Sequence, residues 1–221
     1  MYIHTYHSDT NKFDWDGTLL DSAGAIVQAI QAACADLELP IPSDQQARHV
    51  IGLGLADAMR HAVPDLTADR YQAMVDRYRY HYLSGDHQLT LFPGVPAMLE
   101  RLNTAGHIVT IATGKSRLGL ERALDHSDLR PLFQASRCAD ECHSKPHPQM
   151  LEELMAEFGI LPEATVMIGD TSHDLLMARN AAVDAVAVTY GAHPHEHLLD
   201  HNPVACVSDV TELDAWLLKN A

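Results

Sequence analysis

The sequence predicts an α/β protein in which helices flank a parallel sheet and an all-helical domain is inserted near the start of the chain. Three observations predict this class. Apolar runs suited to buried strands alternate with helical patterns from about residue 93 onward. The stretch from residue 22 to 91 has helical periodicity and no convincing strand. Turn-forming residues in "ELPIPSD" and "LFPGVP" punctuate that stretch.

The predicted strands are short apolar runs, as expected for a sheet that is buried on both faces. They are "HIVTIAT" (His107 to Thr113), "TVMIGD" (Thr165 to Asp170) and "AVAVTY" (Ala185 to Tyr190), with a shorter candidate, "VACV", at Val204. Helical patterns between them begin near Val95, Met150 and Leu175.

The helical insertion is predicted from two apolar stripes, one starting at Ile26 and one at Tyr71. Stripes of this kind are nearly always core, so no ligand contact is inferred from them. We assign residues 1–20 and 93–221 to the α/β core and residues 21–92 to the insertion. The second hinge is expected near Pro93.

Charge and composition limit the classes of partner. The 221 residues are 47% hydrophobic, and 30 acidic against 15 basic side chains give a net charge of −15. Nucleic acid and membrane surfaces would be repelled, so we expect neither as a partner. The sequence has neither a secretory signal nor a membrane-length apolar run, so we expect a cytoplasmic protein. The oligomeric state is left open between monomer and homodimer.

The cysteines are expected to be thiols, as in most proteins of a reducing compartment. They are Cys34, Cys138, Cys142 and Cys206. "CADECH" brings Cys138, Cys142 and His143 close together in sequence, but no second matching pair follows, so we do not expect zinc there. The sequence assigns these three residues no role, and "HPHEH" (His193 to His197) is interpreted as a polar surface loop.

The first chemical motif is "FDWDGT", in which Asp14 would end a strand and Asp16 would lie two residues further on. Alternation along an extended chain places both carboxylates on one side, and Gly17 allows a tight turn beneath them. Two neighbouring carboxylates repel each other. A bound cation, or a division of roles into nucleophile and proton donor, would explain the pair. A solvated acidic turn stays open as the alternative for this motif alone.

Three further segments are weak alone. "IATGKS" ends a strand at Thr113 and opens a helix whose amides attract anions. "HSKPHPQML" holds Lys145 just before the next helix. "VMIGDTSHD" puts Asp170 at a strand end and Asp174 on the first turn of a helix, a pair that suits a hard divalent cation. The carboxyl ends of parallel strands converge, so the three segments that end an apolar run can meet at one crevice. The segment of Lys145 ends no such run, and alone it is interpreted as holding a surface lysine.

Taken together and in this order, the four segments resemble the motifs of the haloacid dehalogenase superfamily, on its phosphatase branch. The resemblance covers nearly the whole chain, including a helical cap domain after the first motif, and implies a Rossmann-like parallel sheet. It implies that Asp14 is the nucleophile that becomes an aspartyl-phosphate and that Asp16 is the general acid and base. Lys145 would offset the charge of Asp14 and the phosphoryl group.

The resemblance also implies the binding residues. Thr113, Gly114 and Lys115 would bind the phosphoryl group. Asp14, the backbone carbonyl of Asp16 and Asp170 would ligate Mg²⁺, with Asp174 as an auxiliary carboxylate. An acid two residues after the nucleophile, at Asp16, favours phosphoester hydrolysis over dehalogenation.

Within that branch, "FDWDGTLLDS", "IGLGL", "LFPGV" and "SKPHPQML" are most similar to phosphoglycolate phosphatase-like proteins. Gly52 and Gly54 would then form a cap loop over the substrate, although an ordinary turn would look the same. The expected substrate is a small phosphorylated metabolite. A pyrophosphatase, a sugar phosphatase, a phosphomutase and a binding protein without turnover stay open as alternatives.

The lead-in to Asp14 departs from this pattern, because "HSDTNKF" offers only Phe13 where family members place several aliphatic residues. Burying polar groups in their place would cost several kcal/mol. We therefore expect either an altered N-terminus, which we favour, or a short and frayed strand. In both cases strand pairing should be weaker before Asp14 than in Ile108 to Ala112.

Overall fold

The structure, a computed structural model, describes residues 10–85 and 88–220. These residues form a six-stranded parallel sheet in the order β3-β2-β1-β4-β5-β6. The strands are β1 (Thr10–Phe13), β2 (Ile108–Thr113), β3 (Ala135–Cys138), β4 (Thr165–Gly169), β5 (Asp184–Val188) and β6 (Ala205–Val207). The predicted parallel α/β fold is therefore confirmed.

Helices cover the sheet and form the inserted segment. They are α1 (Ala23–Asp36), α2 (Asp44–His49), α3 (Leu55–Ala62), α4 (Ala68–Gly85), α5 (Val95–Thr104), α6 (Arg117–Ser127), α7 (Gln149–Phe158), α8 (Ser172–Asn180), α9 (His195–Leu199) and α10 (Val210–Asn220). Of the described helices, none is long and apolar enough to cross a membrane.

Two apolar clusters cover the two faces of the sheet. One, with Phe13, Trp15 and Leu99, lies towards α5, α6 and α10, and the other, with Leu151 and Met167, lies towards α7 and α8. Helices α1–α4, here called the helical block, have an apolar cluster of their own around residues such as Ile30 and Met59. The predicted stripes of the insertion therefore pack as core.

Strand β1 is central and buried. Each of its residues pairs with β2 on one side and with β4 on the other, from Thr10 opposite Ile108 to Phe13 opposite Ile111. The expectation of weaker pairing is therefore wrong for residues 10–13, and residues 7–9 lie outside the described part. The strand is short, and it buries Asn11 and Lys12 completely.

The cost of these polar residues is visible in their contacts. Neither polar side-chain atom of Asn11 has a hydrogen-bond partner. The Lys12 ammonium donates to the Thr10 hydroxyl over 3.3 Å, and burial lowers the pKa of Lys12 to about 8. The buried polar side chains that were expected to cost stability are therefore present, but β1 still pairs with both neighbouring strands along its whole length.

The order of the strands in the sheet determines where the crevice lies. The chain runs outward on one side through β2 and β3 and on the other through β4, β5 and β6, so the order reverses at β1. In open α/β sheets, the carboxyl edge at such a reversal is where ligands bind. Strands β1, β2 and β4 end there at Phe13, Thr113 and Gly169.

Candidate active site

The four predicted motif segments meet at this edge. Asp14 follows β1, Thr113 ends β2, and Asp170 follows β4. Lys145 comes from the loop between β3 and α7. All four side chains are buried. Asp14, Thr113 and Asp170 converge because the parallel strands β1, β2 and β4 end at one edge, and the loop after β3 adds Lys145.

Lys145 joins the two acids that flank it. Its Nζ lies 2.9 Å from Asp14 Oδ1 and 2.6 Å from Asp174 Oδ1. Burial alone would lower the pKa of Lys145, but Asp14 and Asp174 outweigh burial and raise it. Burial raises the pKa of Asp14 to about 7, although Lys145 opposes that shift.

Asp174 is placed by local structure. It is the third residue of α8, and its Oδ2 accepts hydrogen bonds from the backbone amide and the hydroxyl of Thr171, the residue that caps the helix. This is a capping box, which fixes the direction of the first turn. Both carboxylate oxygens of Asp174 are therefore already engaged, one by the cap and one by Lys145.

Asp170 is the third buried acid. Its Oδ1 accepts from the Thr18 hydroxyl over 2.7 Å and its Oδ2 from the Ala192 amide over 2.8 Å. Burial, Asp174 and Asp14 raise the pKa of Asp170 well above its usual range. The negative charge of an ionised Asp170 is therefore not balanced by the groups around it.

The acids fit a divalent cation. Carboxylate oxygens of Asp14, Asp170 and Asp174 lie within 4.8 Å of one another. Asp14 Oδ2 is buried and has no hydrogen-bond partner, and Lys145 compensates only part of the charge. Carboxylates are the ligands that hard cations prefer. Three of the predicted metal residues are therefore together, and Asp14 Oδ2 is the carboxylate oxygen among them that has no hydrogen-bond partner.

Asp16 lies in a separate polar group beside these acids. Its Oδ1 accepts from the Ser22 hydroxyl over 2.7 Å and lies 3.0 Å from Lys115 Nζ. Ser22 precedes α1 but makes no side-chain cap to it, because its hydroxyl turns to Asp16 instead. Lys115, predicted to bind phosphate, also donates to the Tyr82 hydroxyl of α4 over 3.0 Å. Its ammonium therefore links Asp16 to the helical block.

The loop between α2 and α3, which holds Gly52 and Gly54, lies beside the acids and the Gly114 turn. A Cβ added to Gly114 would lie 2.5 Å from the Gly52 carbonyl oxygen, and one added to Gly52 would lie 3.8 Å from Asp14 Oδ2. The Gly54 amide donates to the Ser144 hydroxyl over 2.8 Å. The helical block is therefore in direct contact with the carboxyl edge of the sheet.

Glycines also press against the acids themselves. Gly17 has a φ of +78°, and an added Cβ would lie 2.1 Å from Asp170 Oδ2. Added Cβ atoms at Gly169 and Gly191 would lie 2.3 Å from the Cβ atoms of Asp174 and Asp170. Sequence reasoning assigned a role to Gly17 but missed Gly169 and Gly191, because their contacts depend on tertiary structure.

Sequence reasoning also did not predict a group of histidines where the end of α2 meets the core. Nε2 of His173 and Nε2 of His193 lie 2.7 Å and 3.2 Å from the carbonyl oxygen of His49, the last residue of α2. His193 is only 3% exposed, so its interpretation as part of a surface loop is wrong. Its Nδ1 accepts from the Ser172 amide over 3.0 Å, so Nε2 is the donor to His49. These bonds hold the end of α2 against the core.

A second group of possible metal ligands lies at this junction. Ring nitrogens of His49, His193 and His197 are within 4.8 Å of one another, but both nitrogens of His193 already form hydrogen bonds. Cys138, Cys142 and His143 belong to no such group among the described residues. The four cysteines are free thiols, as expected.

A cavity of about 420 Å³ opens from Asp14 and Asp16 into the space between the sheet and the helical block. Gly114 and Lys115 line its core side, and residues of α1, α3 and α4 line the other side. The cavity therefore lies beside Asp14 and Asp16, whereas Asp170 and Asp174 are not part of its lining.

Comparisons with known proteins agree with this arrangement. The family profile of haloacid dehalogenase-like hydrolases matches residues 12–188. A probable phosphatase, IndB, of Dickeya dadantii is 35% identical over 208 residues, which are 91% of this chain and 90% of that protein. A phosphoglycolate phosphatase of Aliivibrio fischeri is 32% identical over 200 residues, 86% of this chain and 88% of that one.

A solved structure shows the same fold. The crystal structure of a predicted phosphoglycolate phosphatase from Haemophilus somnus superposes with a TM-score of 0.83 at 24% identity, covering 96% of this chain and 98% of the other. At that identity, the likeness establishes the fold alone.

Proposed function

The chain belongs to the haloacid dehalogenase-like hydrolases, and we propose that it is a Mg²⁺-dependent phosphatase of small organic phosphomonoesters that works through an aspartyl-phosphate. The observation that supports this most directly is the group of three buried acids, Asp14, Asp170 and Asp174, two of which contact Lys145. Asp14 Oδ2 has no hydrogen-bond partner, and Asp14 lines a cavity of about 420 Å³. Relatives named phosphatases support the reaction class.

In the first half of the reaction, a carboxylate oxygen of Asp14 attacks phosphorus while the bond from phosphorus to the ester oxygen breaks. Asp16, in its protonated form, gives its proton to the departing alkoxide. Ser22 and Lys115 hold the Asp16 carboxyl at the cavity wall for this transfer. The product alcohol then leaves an aspartyl-phosphate at Asp14.

In the second half, Asp16 is a carboxylate and removes a proton from water as the water oxygen attacks the aspartyl-phosphate. The bond from phosphorus to Asp14 breaks, and inorganic phosphate leaves. Thr113 and the Gly114 amide bind the transferring group, and Lys145 balances the charge of Asp14. The site thus uses one acid, Asp14, for nucleophilic attack and another, Asp16, for proton transfer.

Asp14, Asp170 and the Asp16 carbonyl would hold Mg²⁺, with Asp174 as an auxiliary carboxylate that mainly orients Lys145. The ion would supply positive charge to a phosphoryl group entering an acidic site. The helical block serves as the cap, and its Gly52–Gly54 loop contacts the leaving group. The proposed domains are residues 1–20 and 93–221 for the core and 21–92 for the cap.

Hydrolysis of an aryl phosphate with Mg²⁺ and with EDTA tests this proposal. Turnover should require Mg²⁺ and should disappear in Asp14→Asn. Asp21→Asn, a change at an exposed acid of the same segment, is the matched control and should keep its activity. Phosphate binding without turnover in the wild-type chain would instead favour a binding protein.

A substrate panel separates the remaining enzyme alternatives. Ratios of kcat/KM for phosphomonoesters, sugar phosphates and pyrophosphate distinguish a phosphomonoesterase from a sugar phosphatase and a pyrophosphatase. Recovery of an isomeric sugar phosphate instead of inorganic phosphate would identify a phosphomutase. A clear preference for pyrophosphate would contradict the proposal.

A further inference from the structure

We propose that the preferred substrate is a phosphomonoester whose leaving group carries an apolar, ring-sized body, and not a short carboxylate such as glycolate. This inference rests on the proposed phosphatase function and specifies the substrate class of the same site. It depends on the juxtaposition of the buried nucleophile, an apolar cavity beside it and two exposed leucines, Leu83 and Leu118, on the cavity lining.

The cavity is too large and too apolar for a two-carbon leaving group. Cavities of 300–1,000 Å³ with mainly apolar walls are typical of sites that enclose a ring-containing ligand, and this one has about 420 Å³. Its wall in the helical block includes the half-buried apolar side chains of Leu53, Leu55, Tyr78 and Tyr82. A glycolate group would leave most of that wall facing water, which loses the free energy that burial of apolar surface supplies.

The apolar lining continues out to solvent. Leu83 on α4 and Leu118 on α6 both line the cavity and are 42% and 72% exposed. One belongs to the helical block and the other to the core, so they lie on different walls. A body that extends outward from the phosphoryl group would cover both leucines, which explains why large apolar side chains are exposed there.

The cations of the lining do not suit a carboxylate next to the phosphoryl group. Among the described lining residues they are Arg79, Lys115 and Arg122. Lys115 is already engaged by Asp16 and Tyr82. Both arginines are exposed, whereas Asp14 is fully buried, so the arginines lie at the outer part of the cavity. A carboxylate one carbon from the ester oxygen would therefore meet apolar surface and the Asp14 carboxylate.

The first test compares three esters of aliphatic alcohols, so that the leaving groups are all alkoxides. With Mg²⁺ and the full chain, we expect kcat/KM for benzyl phosphate to exceed that for ethyl phosphate and for phosphoglycolate by about tenfold or more. A value for phosphoglycolate equal to or above that for benzyl phosphate would overturn the inference.

The second test uses Leu118→Ser, which changes an exposed side chain and should not affect folding. We expect kcat/KM for benzyl phosphate to fall roughly tenfold through KM, while that for ethyl phosphate stays the same. Leu83→Ser should act in the same direction. Leu161→Ser is the matched control, because Leu161 is 69% exposed and lies outside the cavity. An equal loss for both esters would contradict a role in binding the leaving group.

A binding measurement distinguishes this inference from the proposed reaction. Calorimetry with benzylphosphonate and with methylphosphonate measures the same preference without turnover, and benzylphosphonate should bind about tenfold more tightly or better. If no ester is hydrolysed but this preference holds, the proposed reaction is wrong and the apolar site stands. Equal binding of the two phosphonates would overturn the inference whatever the activity.

Discussion

Lys145 Nζ lies between two buried carboxylates, 2.9 Å from Asp14 Oδ1 and 2.6 Å from Asp174 Oδ1. The ammonium is fully buried, so its charge is screened little by water. It therefore stabilises both the fold and the arrangement of the proposed nucleophile.

Lys145→Met should therefore lower kcat by about 10²- to 10³-fold, because it removes electrostatic stabilisation of the reacting group. In EDTA, it should also lower the free energy of unfolding by about 3–5 kcal/mol, since two buried acids lose their partner. Steady-state kinetics and urea denaturation measure the two effects. Lys219→Met, at an exposed lysine, should change neither, and full activity of Lys145→Met would contradict the assigned role.

Mg²⁺ should stabilise the folded chain. At a hundred times its Kd, a cation that binds only the folded state adds about 2.7 kcal/mol. The melting temperature should rise accordingly from EDTA to saturating Mg²⁺, and Asp170→Asn should abolish most of that rise. Asp65→Asn, at an exposed acid away from the site, should keep it. An undiminished rise in Asp170→Asn would remove Asp170 from the proposed ligands.

Gly114→Ala should disturb the contact between the loop and the sheet. The new Cβ would lie 2.5 Å from the Gly52 carbonyl oxygen and 2.6 Å from that of Leu53, so the loop must move away. A displacement of this size near reacting groups lowers kcat/KM by about 10²-fold. The matched control is Gly24→Ala in α1, where nothing lies within 4 Å of the new atom. That control should keep activity and gain about 0.5–1 kcal/mol of stability.

Lys12→Met should stabilise the fold. Burial lowers the pKa of Lys12 from 10.5 to about 8, which corresponds to a cost of about 3 kcal/mol at pH 7. Between pH 8 and 10.5, the unfolded wild type binds more protons than the folded one, so its stability rises with pH. The gain from Lys12→Met should therefore be largest below pH 8 and shrink towards pH 10.5. Urea denaturation at pH 7.5 and 10 measures this, and a constant gain would contradict it.

Asn11→Val should also stabilise the fold, because it replaces two buried polar atoms that have no hydrogen-bond partner. Asn11 lies between Val109 and Val166 in the sheet, a position that suits a β-branched side chain. We expect a gain of about 1–3 kcal/mol in the free energy of unfolding. An unchanged melting temperature for Asn11→Val would contradict the argument.

The strands that could be predicted from the sequence are the apolar and buried ones. Strands β2, β4 and β5 begin and end within two residues of the predicted runs, and those strand ends were enough to bring the acids together. Strand β3, "ASRC", was missed because it is a half-buried edge strand with a polar sequence. Periodicity carries little information for such a strand.

The polar contacts around the acids were harder to predict. His49 and His193 are 144 residues apart and meet only because α2 packs against the segment after β5. Lys115 lies beside Asp16 and also donates to the hydroxyl of Tyr82, which belongs to α4. In β1, regular strand geometry outweighed the unfavourable side chains, because both neighbouring strands offer a complete set of backbone partners.

The absence of side chains at Gly17, Gly169 and Gly191 has a consequence for random mutagenesis. A methyl group at any of these positions would occupy space already filled by a carboxylate, so even the smallest replacement displaces an acid without altering its chemistry. A library selected for loss of turnover should recover changes at these three codons about as readily as changes at the aspartates.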